Sequence, residues 1–64
     1  MADAPDIDLP DDAPIEVKTA DDLGLTSRPR RGDPCSDEGR YTCGSLNQVL
    51  KCENGRWRST PRSC

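Results

Sequence analysis

This 64-residue chain has four kinds of side chain that could react or bind a ligand. They are four cysteines, one tryptophan, one tyrosine and a set of arginines. The chain has no histidine, which is the commonest general base, and no nucleophile has a base beside it in the sequence. An aromatic ring and a guanidinium are instead groups that bind, through stacking and through charge. The sequence therefore predicts a protein that is not an enzyme and that needs no cofactor.

The cysteines are spaced C-x7-C-x8-C-x11-C, and all of them lie in residues 35–64. A structural zinc site needs paired C-x2-C knuckles or histidines, so this spacing predicts no metal. Disulfides replace a large core in small secreted proteins, and here only 31% of the residues are hydrophobic. We therefore expect a secreted, extracellular protein and a monomer. No run approaches the ~18 apolar residues of a membrane span, and a pI of about 4.7 argues against nucleic-acid binding.

The chain divides into two parts at a pair of basic residues, Arg30 and Arg31. Residues 1–27 carry eight acids and one base, with three interrupting prolines, so they are predicted to be disordered. A short strand at 15–18 stays open, because apolar and charged residues alternate there. A kexin-like protease cuts after paired basic residues in exposed linkers. We therefore predict an acidic pro-region, 1–31, and a cysteine module, 32–64; the rival interpretation is a basic linker that balances an acidic tail.

The module is predicted to be a small disulfide-rich all-β fold. Asn54-Gly55 is a strong signal for a two-residue hairpin turn, which sets Cys52 opposite Trp57. A four-residue connection, 44–47, then joins strand 40–43 to strand 48–52, with Tyr41 opposite Leu50 and Arg40 opposite Lys51. The third strand is 57–60. The result is a three-stranded antiparallel meander.

Alternation along these strands sorts the side chains into two faces. The first face carries the candidate core, which consists of Tyr41, Cys43, Leu50, Cys52 and Trp57. The second face carries a basic row, which consists of Arg40, Lys51 and Arg58. Cys43 and Cys52 would lie ~13 Å apart on the first face, too far for a bridge. Extended beyond the strands, the same register brings Cys35 near Cys52 and Cys64 near Cys43, so the expected disulfides are Cys35–Cys52 and Cys43–Cys64.

Two surfaces of the module are candidate ligand-binding sites. Trp57, helped by Tyr41, could stack on a sugar or a protein partner. The Trp57 ring could equally supply the core, and the Tyr41 ring is expected in the core with its hydroxyl reaching solvent. The row of Arg40, Lys51 and Arg58 could bind an anionic partner, such as the acidic leader, or could only keep the sheet from pairing edge to edge.

Arg31-Gly32-Asp33 spells a tripeptide that integrins recognise. Short motifs arise often by chance in a chain this rich in arginine and aspartate. Cleavage after Arg31 would also destroy it, so we interpret it as a coincidence.

The cysteine spacing and its surroundings resemble a known kind of module. The pattern consists of a first Cys35, then Gly39-Arg40-Tyr41-Thr42-Cys43, Val49-Leu50-Lys51-Cys52, Asn54-Gly55-Arg56-Trp57 and a final Cys64. It is similar to the chitin-binding modules of fungal cell-wall enzymes and to small secreted cysteine-rich effectors of fungi. The acidic leader ending in Arg30-Arg31 resembles the pro-regions that kexin-like proteases remove from such effectors.

The resemblance implies a secreted, effector-like binding protein in which Trp57 and Tyr41 face a sugar. We expect a cell-wall polysaccharide, chitin first, or a host extracellular protein as the partner. Two alternatives stay open. One is a peptide toxin or signal that acts on a receptor or membrane through its basic face, and the other is a small protease inhibitor that presents an arginine.

Overall fold

The computed structural model describes residues 4–64, so Met1, Ala2 and Asp3 of the predicted leader lie outside the described residues. Its strands are β1 (Val17–Lys18), β2 (Tyr41–Cys43), β3 (Gln48–Glu53) and β4 (Arg56–Ser63), and residues 4–64 contain no helix. They form one sheet in the order β1-β2-β3-β4, with β1 parallel to β2 and the other pairs antiparallel. The small all-β fold is confirmed, but the sheet is four-stranded and mixed, so the prediction of a three-stranded antiparallel meander was incomplete.

The β3–β4 hairpin has the predicted register. Cys52 lies opposite Trp57 and Lys51 opposite Arg58. Asn54 and Gly55 have φ angles of 54° and 77°, the positive values that a two-residue type I′ turn requires. β4 continues to Ser63, beyond the predicted end at residue 60, through an irregularity in its pairing with β3.

The β2–β3 register differs from the prediction by one residue. Tyr41 lies opposite Lys51, and not opposite Leu50. The connection is shorter than predicted: the Gly44 N–H donates to the Gln48 carbonyl over 2.6 Å, which leaves a loop of residues 45–47. Asn47 closes that loop with a φ of 57°, the left-handed residue typical of three-residue hairpin loops.

A register change of one residue exchanges the two faces of a strand. Thr42 therefore lies opposite Leu50 and is completely buried, while Tyr41 is half-buried. The core consists of Leu50, Cys52 and Trp57. The Thr42 hydroxyl is satisfied by donating to the Lys18 carbonyl over 2.8 Å, which ties β2 to β1.

The two disulfides are Cys35–Cys52 and Cys43–Cys64, the expected pairs, each with a Cα–Cα distance of 5.9 Å. The expected exclusion of a Cys43–Cys52 bridge holds for a different reason. Cys43 pairs with Val49, and Val49 and Cys52 lie an odd number of residues apart on β3. Alternation therefore places Cys43 and Cys52 on opposite faces, and the bridges fasten opposite faces of the sheet.

Residues 4–31, which we call the cover segment, pack against the sheet, so the disorder that the composition predicts for the free segment is not seen in the intact chain. Leu9 is buried, and the strand left open at 15–18 exists as β1. The backbone is held by the module as well: the Ser45 N–H donates to the Pro29 carbonyl, and Arg62 donates to the Ala13 carbonyl over 2.7 Å. The prolines prevent a helix, but a segment without regular structure can still dock through such contacts.

Candidate binding surface

Trp57, the residue expected to meet a ligand, lies in the core of the intact chain. The residue is 1% exposed, and its backbone, on the outer edge of β4, is held by Gly32 and Asp33. The Trp57 N–H donates to the Asp33 carbonyl over 2.8 Å, and the Trp57 carbonyl accepts from Gly32 N–H over 2.7 Å. No ligand can stack on this ring while the chain has this conformation.

Part of the material that buries the tryptophan comes from the cover segment. Leu23 and Leu25 pack against the cluster that contains Trp57, beside the half-cystine Cys35. The turn that carries both leucines also lines, with Trp57, a cavity of about 410 Å³. The buried indole Nε1 has no hydrogen-bond partner within residues 4–64. An aromatic ring with an unused donor therefore lies directly beneath a loop that belongs to the predicted leader.

Asp6 anchors the start of the cover segment on β4, at Ser59. The Asp6 N–H donates to the Ser59 carbonyl over 3.0 Å, and the Ser59 N–H donates to Asp6 Oδ2 over 2.9 Å. The Arg31 guanidinium lies 3.0 Å from Asp6 Oδ1, so it joins the two ends of the cover segment. These contacts occupy the edge of β4 two residues beyond Trp57.

The same contacts stabilise the charged form of the anchor. The pKa of Asp6 lies below its usual value because the Ser59 backbone N–H donates to the carboxylate. The Arg31 guanidinium lowers the pKa further, while partial burial opposes the shift. The anchor therefore depends on an ionised carboxylate.

The predicted processing site lies in a tight turn. Asp33 N–H donates to the Arg30 carbonyl over 3.0 Å, and Gly32 has a φ of 90°. The amide nitrogen of the Arg31–Gly32 bond is the group that donates to Trp57. Both arginine side chains are exposed, but the bond between Arg31 and Gly32 lies in a hydrogen-bonded turn and not in an open linker.

The same turn contains the Arg31-Gly32-Asp33 tripeptide. The Arg31 guanidinium is paired with Asp6, and the Asp33 carboxylate accepts from the Arg30 N–H over 2.9 Å. Neither charged group projects freely. This geometry agrees with the interpretation of the tripeptide as a coincidence.

The predicted basic row is only partly present. Lys51 and Arg58 are cross-strand neighbours, but the one-residue shift places Tyr41, and not Arg40, beside Lys51. The Lys51 ammonium lies 6.0 Å from the centre of the Tyr41 ring and 3.4 Å from a Glu53 carboxylate oxygen. The row is therefore a two-residue basic pair that adjoins an aromatic ring and is partly neutralised by Glu53.

Two other kinds of site are absent from the described part of the chain. Between residues 4 and 64, no three His, Cys, Asp or Glu side chains gather closely enough to hold a metal ion. None of the described residues belongs to a helix that could span a lipid bilayer. The chain matches no protein-family model, no curated protein and no solved structure.

The sequence did not indicate the residues that anchor the cover segment. Asp6 is one of eight acids in residues 1–27, and nothing in its surroundings marks it as the one that meets Ser59. Leu23 and Leu25 did leave a signal: they flank Gly24 and form the apolar part of an otherwise polar stretch. A pair of leucines around a turn glycine indicates a small apolar patch that could dock.

Proposed function

We propose that this chain is a secreted, non-enzymatic binding protein, effector-like in organisation, whose ligand surface is kept closed by the cover segment. Cutting after Arg31 separates residues 4–31 from the cysteine module and opens the surface around Trp57. The ligand proposed for that surface is a cell-wall polysaccharide, with chitin first. The observation that carries the proposal is the burial of Trp57 beneath Leu23 and Leu25, which both precede the dibasic pair.

Secretion is supported by the covalent structure. Both disulfides join residues of the cysteine module, so a cut after Arg31 leaves every cross-link intact. Disulfides persist in oxidising compartments, which is where proteases that cut at paired basic residues also act. A cross-linked module that tolerates loss of its leader is what such processing requires.

Sugar binding is supported by what the cut would uncover. A tryptophan ring packs against the apolar face of a sugar, and an indole N–H donates to a sugar oxygen. In the intact chain, Trp57 has its ring covered and its Nε1 without a partner. Departure of the leucines opens one side of the cluster, while Cys52 and Leu50 continue to support the ring from the sheet.

The turn geometry adds a kinetic expectation to this proposal. Proteases bind their substrates in extended conformations, but residues 30–33 form a hydrogen-bonded turn. Cutting of the folded chain therefore requires local opening, and the reduced chain should be cut faster by at least tenfold. Digestion of both forms with a protease specific for paired basic residues, followed by mass spectrometry, measures the difference.

The main test is retention on insoluble chitin, cellulose and xylan. The oxidised whole chain is folded first and a portion is cut after Arg31, so that the module keeps both disulfides. We expect the cut form, and not the uncut form, to be retained on chitin. Trp57→Leu in the cut form should abolish retention, whereas Arg58→Glu, on a different face, should not change it.

Each other outcome rejects a stated part of the proposal. Retention of both forms rejects masking by the cover segment. Retention of neither form rejects the polysaccharide and directs attention to a protein or membrane target. Loss of retention with Arg58→Glu and not with Trp57→Leu would favour the alternative of a toxin or signal that acts through Lys51 and Arg58, which are adjacent on the sheet in this structure.

A further inference from the structure

A second cavity of the described chain lies away from Trp57, between the cover segment and the end of the sheet. It is a cleft of about 800 Å³, within the range of ligand-binding sites. We call it the arginine cleft because three arginines, Arg30, Arg31 and Arg62, line it. Its walls come from the cover segment, mainly residues 29–31, from residues 44–48 and from the last part of β4. The cleft therefore exists only while the cover segment and the cysteine module are joined.

The charge of the arginine cleft is opposite to that of the whole chain. The chain has a net charge of −3, but none of the described residues that line the cleft is an acid. Asp6 neutralises Arg31, whereas Arg30 and Arg62 pair with no carboxylate among residues 4–64. Arg62 donates one N–H to the Ala13 carbonyl and keeps its charge uncompensated. A negatively charged ligand is therefore favoured there.

The cleft also has an apolar component that a simple anion would not use. Leu46 is 84% exposed, the most exposed large hydrophobic residue of the described chain, and it lines the cleft. Pro5, Pro29 and Pro61 line it as well. Exposed apolar surface beside arginines fits a ligand that combines carboxylates with apolar side chains.

The wall of the cleft already binds one acidic peptide residue, in cis. Ser59 and Arg31 both line the cleft, and together they hold Asp6. The bound aspartate donates its backbone N–H to the Ser59 carbonyl, and its carboxylate accepts from the Ser59 N–H and pairs with Arg31. This is recognition of a peptide backbone together with its carboxylate, and Arg30 and Arg62 extend the same chemistry along the cleft.

We propose that the uncut chain binds an acidic peptide in the arginine cleft, with carboxylates at Arg30 and Arg62 and an apolar side chain against Leu46. The dibasic pair then has a second role, because Arg30 and Arg31 belong to a ligand site until the chain is cut. Cutting removes two of the three arginines from the module and with them this site. The site is thus a property of the uncut form, independent of what Trp57 binds.

The test uses the uncut, oxidised chain and a fluorescein-labelled peptide of alternating Asp and Leu, measured by fluorescence anisotropy. Arg30→Gln should weaken binding about fivefold, the upper range for one exposed ion pair. Leu46→Ser should weaken it about threefold through lost apolar contact. Arg58→Gln has the same charge change outside the cleft and should leave the affinity unchanged. A matching Lys/Leu peptide should not bind, and Trp57 fluorescence checks that each variant is folded.

Three results would overturn the proposal. One is no measurable binding of the Asp/Leu peptide at low salt. Another is equal weakening by Arg58→Gln and Arg30→Gln, which would mean attraction to general surface charge. The third is a combination of two results: citrate at equal charge concentration displaces the peptide, and Leu46→Ser has no effect on its binding. Together they would mean that the cleft binds small anions and not peptides.

Discussion

The cysteine module and the cover segment are held in place by different kinds of interaction. The module has two antiparallel strand pairs and both disulfides. The cover segment has a two-residue parallel pairing, the Asp6 anchor, one Arg62 contact, one buried leucine and two partly buried leucines. Covalent bonds and backbone ladders persist after a single change, whereas an anchor made of one carboxylate does not. The cover segment is therefore the part that we expect a cut, a proton or one substitution to loosen.

The difference also separates two binding surfaces. The proposed surface at Trp57 would open when the cover segment leaves, while the arginine cleft requires that it stays. A single cut would exchange one proposed site for the other. The disulfides of the module and each contact of the cover segment can be perturbed separately.

Reduction of the disulfides should have the largest effect. Each bridge closes a loop of about twenty residues and stabilises the fold by about 3 kcal/mol. Their sum approaches the entire stability expected of a small domain. We expect reduction to unfold the module and to shift the Trp57 fluorescence to the red. A reduced chain that kept a buried tryptophan would show that the ladders suffice alone.

Leu23→Ala should weaken the cover segment and not the module. A half-buried leucine loses part of the contact energy of a fully buried one, about 1–2 kcal/mol here. Acrylamide quenching of Trp57 should rise, while the disulfide pairing stays the same. Leu46→Ala is the matched control, because Leu46 is highly exposed and removed from the cluster. Equal quenching in the two variants would argue against Leu23 as a cover of the ring.

Asp6→Asn should release the N-terminal end of the cover segment. The change removes the ion pair with Arg31 and weakens the bond from Ser59, at a cost of about 1–2 kcal/mol. Hydrogen exchange should become faster at the Ser59 amide and remain slow at Cys52. Asp8→Asn changes the charge equally at an exposed position and serves as the control. The anchor would be rejected if both variants exchanged alike.

Acid should have the smallest effect, with a defined sign. The pKa of Asp6 is lower in the folded chain than in the unfolded chain. Its stabilisation is therefore complete above the ordinary value of ~3.9 and is lost as the pH falls through the lower folded value. Trp57 quenching should rise below about pH 4, and this step should be smaller in Asp6→Asn. A step of equal size in that variant would assign it to other carboxylates.

The β3–β4 hairpin could be predicted because its signal is local. Asn54-Gly55 selects a turn with two positive φ angles, and the turn fixes the register of both strands. The β2–β3 register could not be predicted in the same way. Gly44–Asn47 is compatible with three-residue and four-residue loops, and the positive φ of Asn47, which distinguishes them, is not visible in the sequence. Because the β2–β3 register differs by one residue from the predicted one, Tyr41 and not Arg40 lies beside Lys51.

The sequence identifies the residues of the candidate site but does not determine whether they are buried or exposed. Trp57 was identified as a ring that could serve either the core or a ligand, and packing decided for the core in the uncut chain. The prediction of disorder for residues 1–31 depends on composition, which gives only the average charge and hydrophobicity of the segment. The docking depends on a few positions, such as Asp6 and Leu23, and an average does not record which acid meets a backbone N–H.

Local sequence signals specify the β3–β4 turn, the all-β character and the presence of disulfides. These follow from φ preferences, alternation and the small apolar content, which act over short stretches of chain. The tertiary fold places the acidic segment on the sheet, covers Trp57 and brings three arginines into one cleft. Those outcomes depend on contacts between residues far apart in sequence, such as Asp6 and Ser59, whose free energies exist only once the sheet has formed.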